Sequence, residues 1–264
     1  MTKKITIALA GNPNVGKSTL FNSLTGARQH VGNWPGKTVE KKEGSLRYKG
    51  YSIKAIDLPG TYSLTAYSIE ELIARDFIVN GHPDVVVHIV DATNLERNLY
   101  LTTQLIELGA NVIVALNMVD LAKREDIEIN EKKLSHFLGA PVIKIEAHKK
   151  IGIDNLLDEA ISLSKKKKLK KSLITYGKEI QEHVNKLKSL IKTSIQLPSK
   201  YNAEWEAIKL LEHDDEVIRM LKEIKGSNDI LKEAGRSRRH LEEVFGEDVD
   251  AAIADSRYGF IAGA

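Results

Sequence analysis

Cysteine is absent from the sequence, which excludes disulfide bonds, thiolate metal sites and a cysteine nucleophile. Long apolar runs are absent as well: none approaches the roughly 18 residues that a membrane-spanning helix needs, so we expect no span. The first residues lead directly into a predicted strand, and we therefore expect no signal peptide. Positive charge is only in slight excess, at a formal net charge of +3, which by itself does not indicate a nucleic-acid partner. These features are compatible with the reducing cytosol.

The most informative stretch that is present is GNPNVGKST, at residues 11–19. It follows the pattern G-x-x-x-x-G-K-S of the phosphate-binding P-loop. An apolar, β-prone segment at 5–10 precedes it, and a helix-prone segment at 19–24 follows it and ends at Gly26. Because a P-loop connects a strand to the N-terminus of a helix, this context distinguishes the motif from a chance match in a loop.

The P-loop predicts an anion-binding site that is made largely of backbone. Successive amide groups turn inward, and the helix N-terminus favours negative charge. Gly16 lets the backbone approach a phosphate without a Cβ in the way. Lys17 is predicted to reach the β- and γ-phosphates, and the Ser18 hydroxyl to bind Mg²⁺. The predicted phosphate contacts are Gly11, Asn12, Pro13, Asn14, Val15, Gly16, Lys17, Ser18 and Thr19.

A first loop that senses the terminal phosphate is predicted after the P-loop helix. Residues 27–37 are rich in glycine and contain proline, so we expect a mobile loop rather than a strand, with Trp34 facing solvent or packing only transiently. Thr38 opens the next predicted strand. It either completes Mg²⁺ coordination and senses the γ-phosphate or only begins that strand, and we favour the first role. Gly36 and Lys37 are included in the predicted nucleotide site.

A second phosphate-sensing motif is DLPG, at residues 57–60, about 40 residues after the P-loop lysine. Asp57 ends a predicted strand and suits a water-mediated Mg²⁺ contact, and the Gly60 amide can meet the γ-phosphate. The next residue is Thr61 rather than the glutamine that orients water in many GTPases. We therefore expect the backbone of a mobile loop at 61–67 to hold the attacking water.

The tetrapeptide NMVD, at residues 117–120, follows the fourth strand of parallel type and predicts a guanine site. Asp120 can accept hydrogen bonds from guanine N1–H and from the exocyclic amino group, whereas adenine would leave this carboxylate unpaired. Asn117 is expected to brace the P-loop and the base pocket. Met118 stands where lysine is common and can cover the base with an apolar side chain.

Glu146 and Ala147 follow the next predicted strand, at the corner where GTPases usually carry Ser-Ala. The Ala147 amide is expected to donate a hydrogen bond to guanine O6. Glu146 departs from the usual pattern, so the role of its side chain stays open. Both residues are included in the predicted nucleotide site.

The first part of the chain, residues 1–164, alternates strands and helices in the order β-α-β-β-α-β-α-β-α-β-α. This order predicts an α/β domain with a mostly parallel sheet of six to seven strands and helices on both faces. The nucleotide would lie along the carboxyl ends of the strands. His88 falls within an apolar strand at 84–91 and is expected to be a hydrogen-bonded core residue rather than a ligand.

The second part, residues 172–264, is predicted to be a small all-α domain. Apolar residues recur there at helical spacing in five segments, which begin at Ile180, Trp205, Val217, Leu241 and Val249. It shows no catalytic constellation. Lysine dominates residues 165–171, which we interpret as a linker; attraction to an anionic membrane or to nucleic acid is the alternative.

With these motifs placed, the sequence resembles the cytosolic N-terminal part of the ferrous iron transport protein B family (FeoB). The resemblance covers essentially the whole chain. Its most specific parts are the G-N-W-x-G loop and the terminal motif. Besides the motifs already given, the stretches that carry it are VGNWPGKTVE (31–40), DLPGTYS (57–63), WEAIKLLE (205–212) and ADSRYGFI (254–261).

The resemblance implies a GTP-hydrolysing domain, a helical domain that tunes nucleotide release, and an Fe²⁺ permease at whose start this chain ends. The chain is then expected to be a soluble fragment that acts at the cytoplasmic face of the membrane, without a nucleic-acid partner; homo-oligomers stay open. The resemblance also implies activation by K⁺, which Asn14 would bind so that the ion neutralises charge between the β- and γ-phosphates. The catalytic residues implied are Lys17, Asn14, Thr38 and Gly60, and the Mg²⁺ ligands are Ser18, Thr38 and Asp57.

Without a glutamine or an arginine finger, turnover is expected to be slow, on the order of 10⁻⁴–10⁻² s⁻¹. Two other classes of protein stay open. An RNA- or ribosome-associated GTPase would need a basic RNA-binding face, whereas the predicted helical domain mixes charges of both signs. A nucleotide-dependent interaction module would bind GTP but hardly hydrolyse it.

Overall fold

The structure, a computed structural model, describes residues 3–65, 67–166, 174–195 and 202–264. The chain divides into two compact units, Met1–Leu173 together with Ala264, and Ile174–Gly263. The first unit has a seven-stranded, mostly parallel sheet with helices, and the described part of the second is helical. The predicted fold class is therefore confirmed.

The sheet of the first unit places the ends of three predicted motifs along one edge. Its strands are β1 (Lys3–Gly11), β2 (Gln29–Asn33), β3 (Glu40–Tyr48), β4 (Tyr51–Asp57), β5 (Val85–Asp91), β6 (Val112–Asn117) and β7 (Val142–Lys144). They lie in the order β2-β3-β4-β1-β5-β6-β7, with antiparallel pairing only at β2–β3 and β3–β4. Because β1, β4 and β6 run in one direction, Gly11, Asp57 and Asn117 end at the same edge.

Helices cover this sheet and bury its parallel strands. Those of the first unit are α1 (Lys17–Thr25), α2 (Ile69–Asn80), α3 (Leu95–Glu107), α4 (Val119–Arg124), α5 (Glu131–Leu138) and α6 (Ile153–Ser164), with a short 3-10 turn at Ala92–Asn94. All six residues of β6 are buried, as a parallel strand covered on both faces requires. Phe21 of α1 and Leu157 of α6 share one core cluster with Ile7 of β1.

The prediction that residues 27–37 form a loop is wrong in part, because this segment contains β2. This strand pairs antiparallel with β3, and Val31 lies opposite Lys42. Four of its five residues are exposed, so the strand has no alternation of apolar and polar residues that a sequence pattern could detect. Backbone pairing to the edge of an existing sheet forms β2 despite its weak intrinsic preference.

The expectation that Trp34 faces solvent is also wrong. Its side chain is 7% exposed. The ring packs edge-on against Phe77, with 5.5 Å between ring centroids, and the Lys41 ammonium lies 5.3 Å from its centre. Burial of a large aromatic surface therefore anchors this segment against α2.

His88 is a core residue, as the sequence predicted. It is fully buried on β5, and its Nδ1 lies 2.8 Å from the Thr102 hydroxyl. Burial lowers the pKa of His88 to about 3, so the ring is neutral at physiological pH.

The second unit contains the helices α7 (Lys178–Ser194), α8 (Ala203–Leu211), α9 (Asp215–Lys222), α10 (Asn228–Phe245) and α11 (Val249–Ala262). The fourth helical segment was predicted to begin at Leu241, but α10 begins at Asn228. Its first turns carry few apolar residues, and only Ile230 is fully buried there. Residues 167–171 of the predicted linker lie outside the described residues.

A buried ion triad joins α8 to α11 within the second unit. Glu212 accepts hydrogen bonds from Arg257 at 2.5 Å and from Lys209 at 2.7 Å. Burial alone would raise the pKa of Glu212, but the two cations together lower it to about 2. None of the helices in the described parts of either unit has the length and apolarity that crossing a bilayer requires.

Candidate nucleotide-binding site

The P-loop connects β1 to α1 through a backbone that few side chains tolerate. Asn14 and Gly16 have φ angles of 68° and 89°. Gly16 also lies so close to Asn117 that a Cβ would stand 2.3 Å from its Nδ2 atom. A side chain at position 16 is therefore disfavoured by conformation and by space.

A cavity of about 540 Å³ opens at the P-loop. This volume falls within the range that small-molecule sites usually have. Residues from the P-loop, the start of α1 and the DLPG motif line it: Asn12, Pro13, Asn14, Gly16, Lys17, Ser18, Thr19 and Gly60. Gly11 and Val15 do not line the cavity, because Gly11 ends β1 and Val15 is buried with 2% exposure.

The DLPG motif lies beside the P-loop. The Lys17 ammonium forms an ion pair with the Asp57 carboxylate, and both side chains are largely buried. The Thr61 amide donates to the Gly11 carbonyl at 3.2 Å. Two segments that are about 40 residues apart in sequence are thus joined by an ion pair and a backbone hydrogen bond.

Two residues that the sequence reasoning missed hold the loop that follows DLPG. The Glu71 carboxylate accepts hydrogen bonds from the Ser63 hydroxyl at 2.5 Å and from the Tyr67 and Ser68 amides at 3.2 Å. Gln104 of α3 accepts from the Leu64 amide at 2.6 Å. The capping box formed by Ser68 and Glu71 is a readable sequence signal, whereas nothing local marks Gln104.

The predicted phosphate sensor of the first loop lies outside the cavity. Gly36, Lys37 and Thr38 are exposed in the turn between β2 and β3, and none of them lines the cavity. The strand predicted to open at Thr38 begins at Glu40 instead. The proposed contacts of these three residues with a nucleotide stay predictions.

Asn117 ties the P-loop to the predicted base pocket. Its Nδ2 donates to the Val15 carbonyl at 2.9 Å, and its Oδ1 accepts from the Ala147 amide at 3.2 Å. The Ala147 carbonyl in turn accepts from the Ser23 hydroxyl of α1 at 2.9 Å. Because the Ala147 amide is directed to Asn117, its predicted bond to guanine O6 stays a prediction.

Asp120 lies in the first turn of α4, a helix that the sequence did not predict. Met118 directly precedes α4 and has a left-handed conformation with φ of 59°. The Lys149 ammonium lies 3.5 Å from Asp120 Oδ2 and 2.5 Å from Glu146 Oε2. Burial alone would raise the pKa of Asp120, but Lys149, assisted by His148, lowers it. Glu146 and Asp120 therefore share one cation, which the sequence reasoning missed because Lys149 belongs to no nucleotide motif.

Comparison with known proteins gives the same division into two parts. The family described as ferrous iron transport protein B matches residues 5–160, and the FeoB cytosolic helical domain matches residues 176–264. The chain belongs to the FeoB family. Among individual relatives, the Fe(2+) transporter FeoB of Methanocaldococcus jannaschii is 49% identical over 259 residues, which cover 98% of this chain and 38% of that protein. An FeoA/FeoB fusion protein of Porphyromonas gingivalis is 42% identical over 98% of this chain and 31% of its own length.

Solved structures of FeoB cytosolic domains match nearly the full length of the chain. A mutant NFeoB of S. thermophilus bound to GDP has a TM-score of 0.87 and 40% identity, and 98% of each chain is covered. The cytosolic domain of T. maritima FeoB in its GMPPNP form has a TM-score of 0.84 and 33% identity, with coverage of 98% of this chain and 96% of that one. The fold is thus that of the FeoB G domain and helical domain. The chain spans about a third of the length of the curated FeoB relatives, from 31% to 38% in the two above.

Proposed function

We propose that this FeoB chain binds GTP and GDP in the P-loop cavity and hydrolyses GTP slowly. The observation that carries the proposal is the cavity lined jointly by the P-loop and Gly60, with the Lys17–Asp57 ion pair beside it. The volume of this cavity suits a polyphosphate, and its lining supplies backbone amides and a lysine. FeoB structures named as bound to GDP or in a GMPPNP form support the same ligand class.

The phosphates would lie over the N-terminus of α1. There the P-loop amides and Lys17 stabilise negative charge, and Lys17 exchanges Asp57 for phosphate oxygens. Ser18 lines the cavity, and Asp57 ends β4 beside it, so both offer the oxygen ligands that Mg²⁺ prefers. Thr38 would join them only after the exposed turn that carries it closes over the cavity.

K⁺ has a candidate ligand in Asn14, whose backbone the left-handed conformation places in the cavity lining. A monovalent cation bound there would neutralise charge between the β- and γ-phosphates. Thr61 occupies the position of a water-orienting glutamine, so the loop held by Glu71 and Gln104 would orient water through its backbone. Such an arrangement fits slow hydrolysis.

The guanine base would lie between Asn117 and the 146–147 corner, where Asp120 accepts from its N1–H and its amino group. Adenine offers neither donor and would leave the carboxylate unpaired, so the site would select guanine. The base would lie close to Ala147, whose amide would turn from Asn117 towards O6.

In the full-length protein, nucleotide turnover in this domain would regulate Fe²⁺ uptake by a membrane permease. The relatives named Fe(2+) transporters, which are about three times as long as this chain, support this role. A full-length transporter with Lys17→Ala should take up radioactive Fe²⁺ more slowly than the unchanged transporter. Equal uptake at equal expression would contradict the regulatory role without affecting the nucleotide site.

The nucleotide site is tested by titrating the purified chain with a fluorescent GDP analogue, with and without Mg²⁺. We expect GDP to displace the analogue and ADP to leave it bound. Displacement by ADP at the same concentration would overturn the guanine site. Phosphate release from GTP is then compared in K⁺ and Na⁺ buffers, and equal rates would remove the role of Asn14 only.

A further inference from the structure

The turn at residues 146–149 holds a lysine against the predicted base pocket. Glu146 and Ile151 exchange two backbone hydrogen bonds, of 3.1 and 3.3 Å. The Lys149 amide donates to the Glu146 carbonyl at 3.0 Å and closes the turn. The side chain of Lys149 then returns to Glu146 Oε2, at 2.5 Å. The turn therefore places the backbone of Lys149 where its ammonium can reach the Glu146 carboxylate.

Two carboxylates meet at this ammonium. Asp120, Glu146 and His148 each offer a polar side-chain atom, and these atoms all lie within 4.8 Å of one another. At such a separation two carboxylates repel each other, and without a cation they tend to share a proton. A protonated Asp120 would lose acceptor capacity towards the two guanine donors.

We propose that Lys149 is a positioning residue for guanine recognition, because its ammonium neutralises Glu146 and so keeps Asp120 ionised. This inference rests on the proposed function, in which Asp120 accepts from guanine. Lys149 acts through Asp120 and need not touch the nucleotide. This role also explains how Glu146 is tolerated where GTPases usually have serine, because the Lys149 ammonium is the counter-ion of the additional carboxylate.

The sharing of one cation predicts a specific pH dependence. Among the described residues, the side chains that lower the pKa of Asp120 from across the turn are Lys149 and His148. The Glu146 carboxylate lies in the same cluster and carries a like charge. With Lys149 in place, GDP affinity should stay flat from about pH 8 to about pH 6, well above the ordinary carboxyl range. Without Lys149, the nearby negative charge of Glu146 should favour protonation of Asp120, and GDP affinity should fall as pH falls.

Lys149→Met tests the inference in calorimetric titrations with GDP. We expect only a small loss at pH 7 and a loss that grows to about 10-fold as pH falls towards about 5, nearer the ordinary carboxyl range. Lys150→Met, in the same turn, is the matched control and should bind GDP as the unchanged chain does. His148→Gln is introduced into each variant so that protonation of the imidazole does not replace the missing cation.

The deciding variant is the double substitution Lys149→Met with Glu146→Gln. Removing both charges together should restore GDP affinity to within about threefold and flatten the pH profile, since a charge pair couples in a double-mutant cycle. A merely structural role of Lys149 would not be rescued by Glu146→Gln. Undiminished GDP affinity in Lys149→Met, or failure of the double variant to recover, would overturn the inference.

A comparison of GDP with inosine diphosphate separates this inference from the proposed function. Inosine lacks the amino group, so the preference for GDP reports on the acceptor capacity of Asp120. This preference should shrink in Lys149→Met and return in the double variant. If Asp120→Asn leaves base preference unchanged, the proposed guanine site fails; if Asp120→Asn changes it and Lys149→Met does not, only the role of Lys149 fails.

Discussion

The two ends of the candidate site are built in different ways. At the phosphate end, the left-handed backbone at Asn14 and Gly16 shapes the loop, and the residues that need this geometry lie within one short motif. At the base end, Asp120 and Glu146 are arranged around the ammonium of Lys149, which is far from Asp120 in sequence. Backbone geometry of this kind follows from residue type, whereas a shared cation depends on which charges the fold brings together.

The difference predicts how each end responds to change. A substitution at a backbone position of the phosphate end, or at its lysine, should cause a large loss of nucleotide affinity. Mild changes of pH should leave the contribution of this end unchanged. Substitutions of charged residues at the base end should change nucleotide affinity by smaller steps, because one charge can be replaced or compensated by another. Asn117 links the two ends, because its side chain is hydrogen-bonded to both Val15 and Ala147.

Lys17→Ala should have the largest effect, because among the residues that the structure describes Lys17 is the one cationic side chain that lines the cavity. Loss of charge-assisted hydrogen bonds to the β- and γ-phosphates, each contributing roughly 1.5–3 kcal/mol, predicts about 1,000-fold weaker GTP binding. Lys132→Ala is the matched control, since Lys132 is exposed on α5 and belongs to no predicted nucleotide motif. Fluorescence titration measures both, and a loss below about tenfold in Lys17→Ala would contradict a phosphate site at this lysine.

Gly16→Ala should come next, with about 100-fold weaker GDP binding. The left-handed conformation costs a non-glycine residue roughly 1–2 kcal/mol, and the new Cβ would stand 2.3 Å from Asn117 Nδ2. Moving Asn117 would disturb the base end as well, so thermal unfolding should also shift to lower temperature. Unchanged melting and unchanged affinity together would show that the close approach of Gly16 to Asn117 is not rigid.

Asp120→Asn should have an intermediate effect that depends on the base. Loss of the anionic acceptor should weaken GDP binding by about 30-fold. Xanthosine diphosphate has an acceptor in place of the amino group and should bind more tightly to the variant than to the unchanged chain. Asp126→Asn, on the exposed segment after α4, is the control. Calorimetry with both nucleotides checks the exchange, and a parallel loss of both would indicate damage to the phosphate end instead.

The sequence predicted the parallel core of the fold well and its edge poorly. β1, β5 and β6 carry nearly continuous apolar runs and β4 alternates apolar and polar residues, each next to a motif, so their type could be read directly. β2 has four exposed residues out of five and forms by pairing with β3, a tertiary contact that leaves no local pattern. Trp34 was misjudged for the same reason, because its partner Phe77 lies on another element.

In the candidate site, too, residues within a local motif were predicted and residues that act through distant contacts were not. Most of the P-loop residues predicted to surround phosphate do line the cavity, since the motif encodes its own backbone. Gln104 and Lys149 were not predicted, because each acts through a residue distant in sequence, Leu64 and Asp120 respectively. Thr38 was placed in the site by analogy with other GTPases, and its exposed position leaves that role to experiment.

Gly60→Ala should have the smallest effect on GDP binding and sharpens the contrast with Gly16. A Cβ at Gly60 would lie 3.4 Å from atoms of Pro13, an ordinary contact, and its φ is not positive. GDP affinity should therefore change by less than about twofold, in the range of a surface substitution. A loss comparable with that of Gly16→Ala would show that DLPG is as rigidly built as the P-loop, and the flexible part of the phosphate end would then begin only after Thr61.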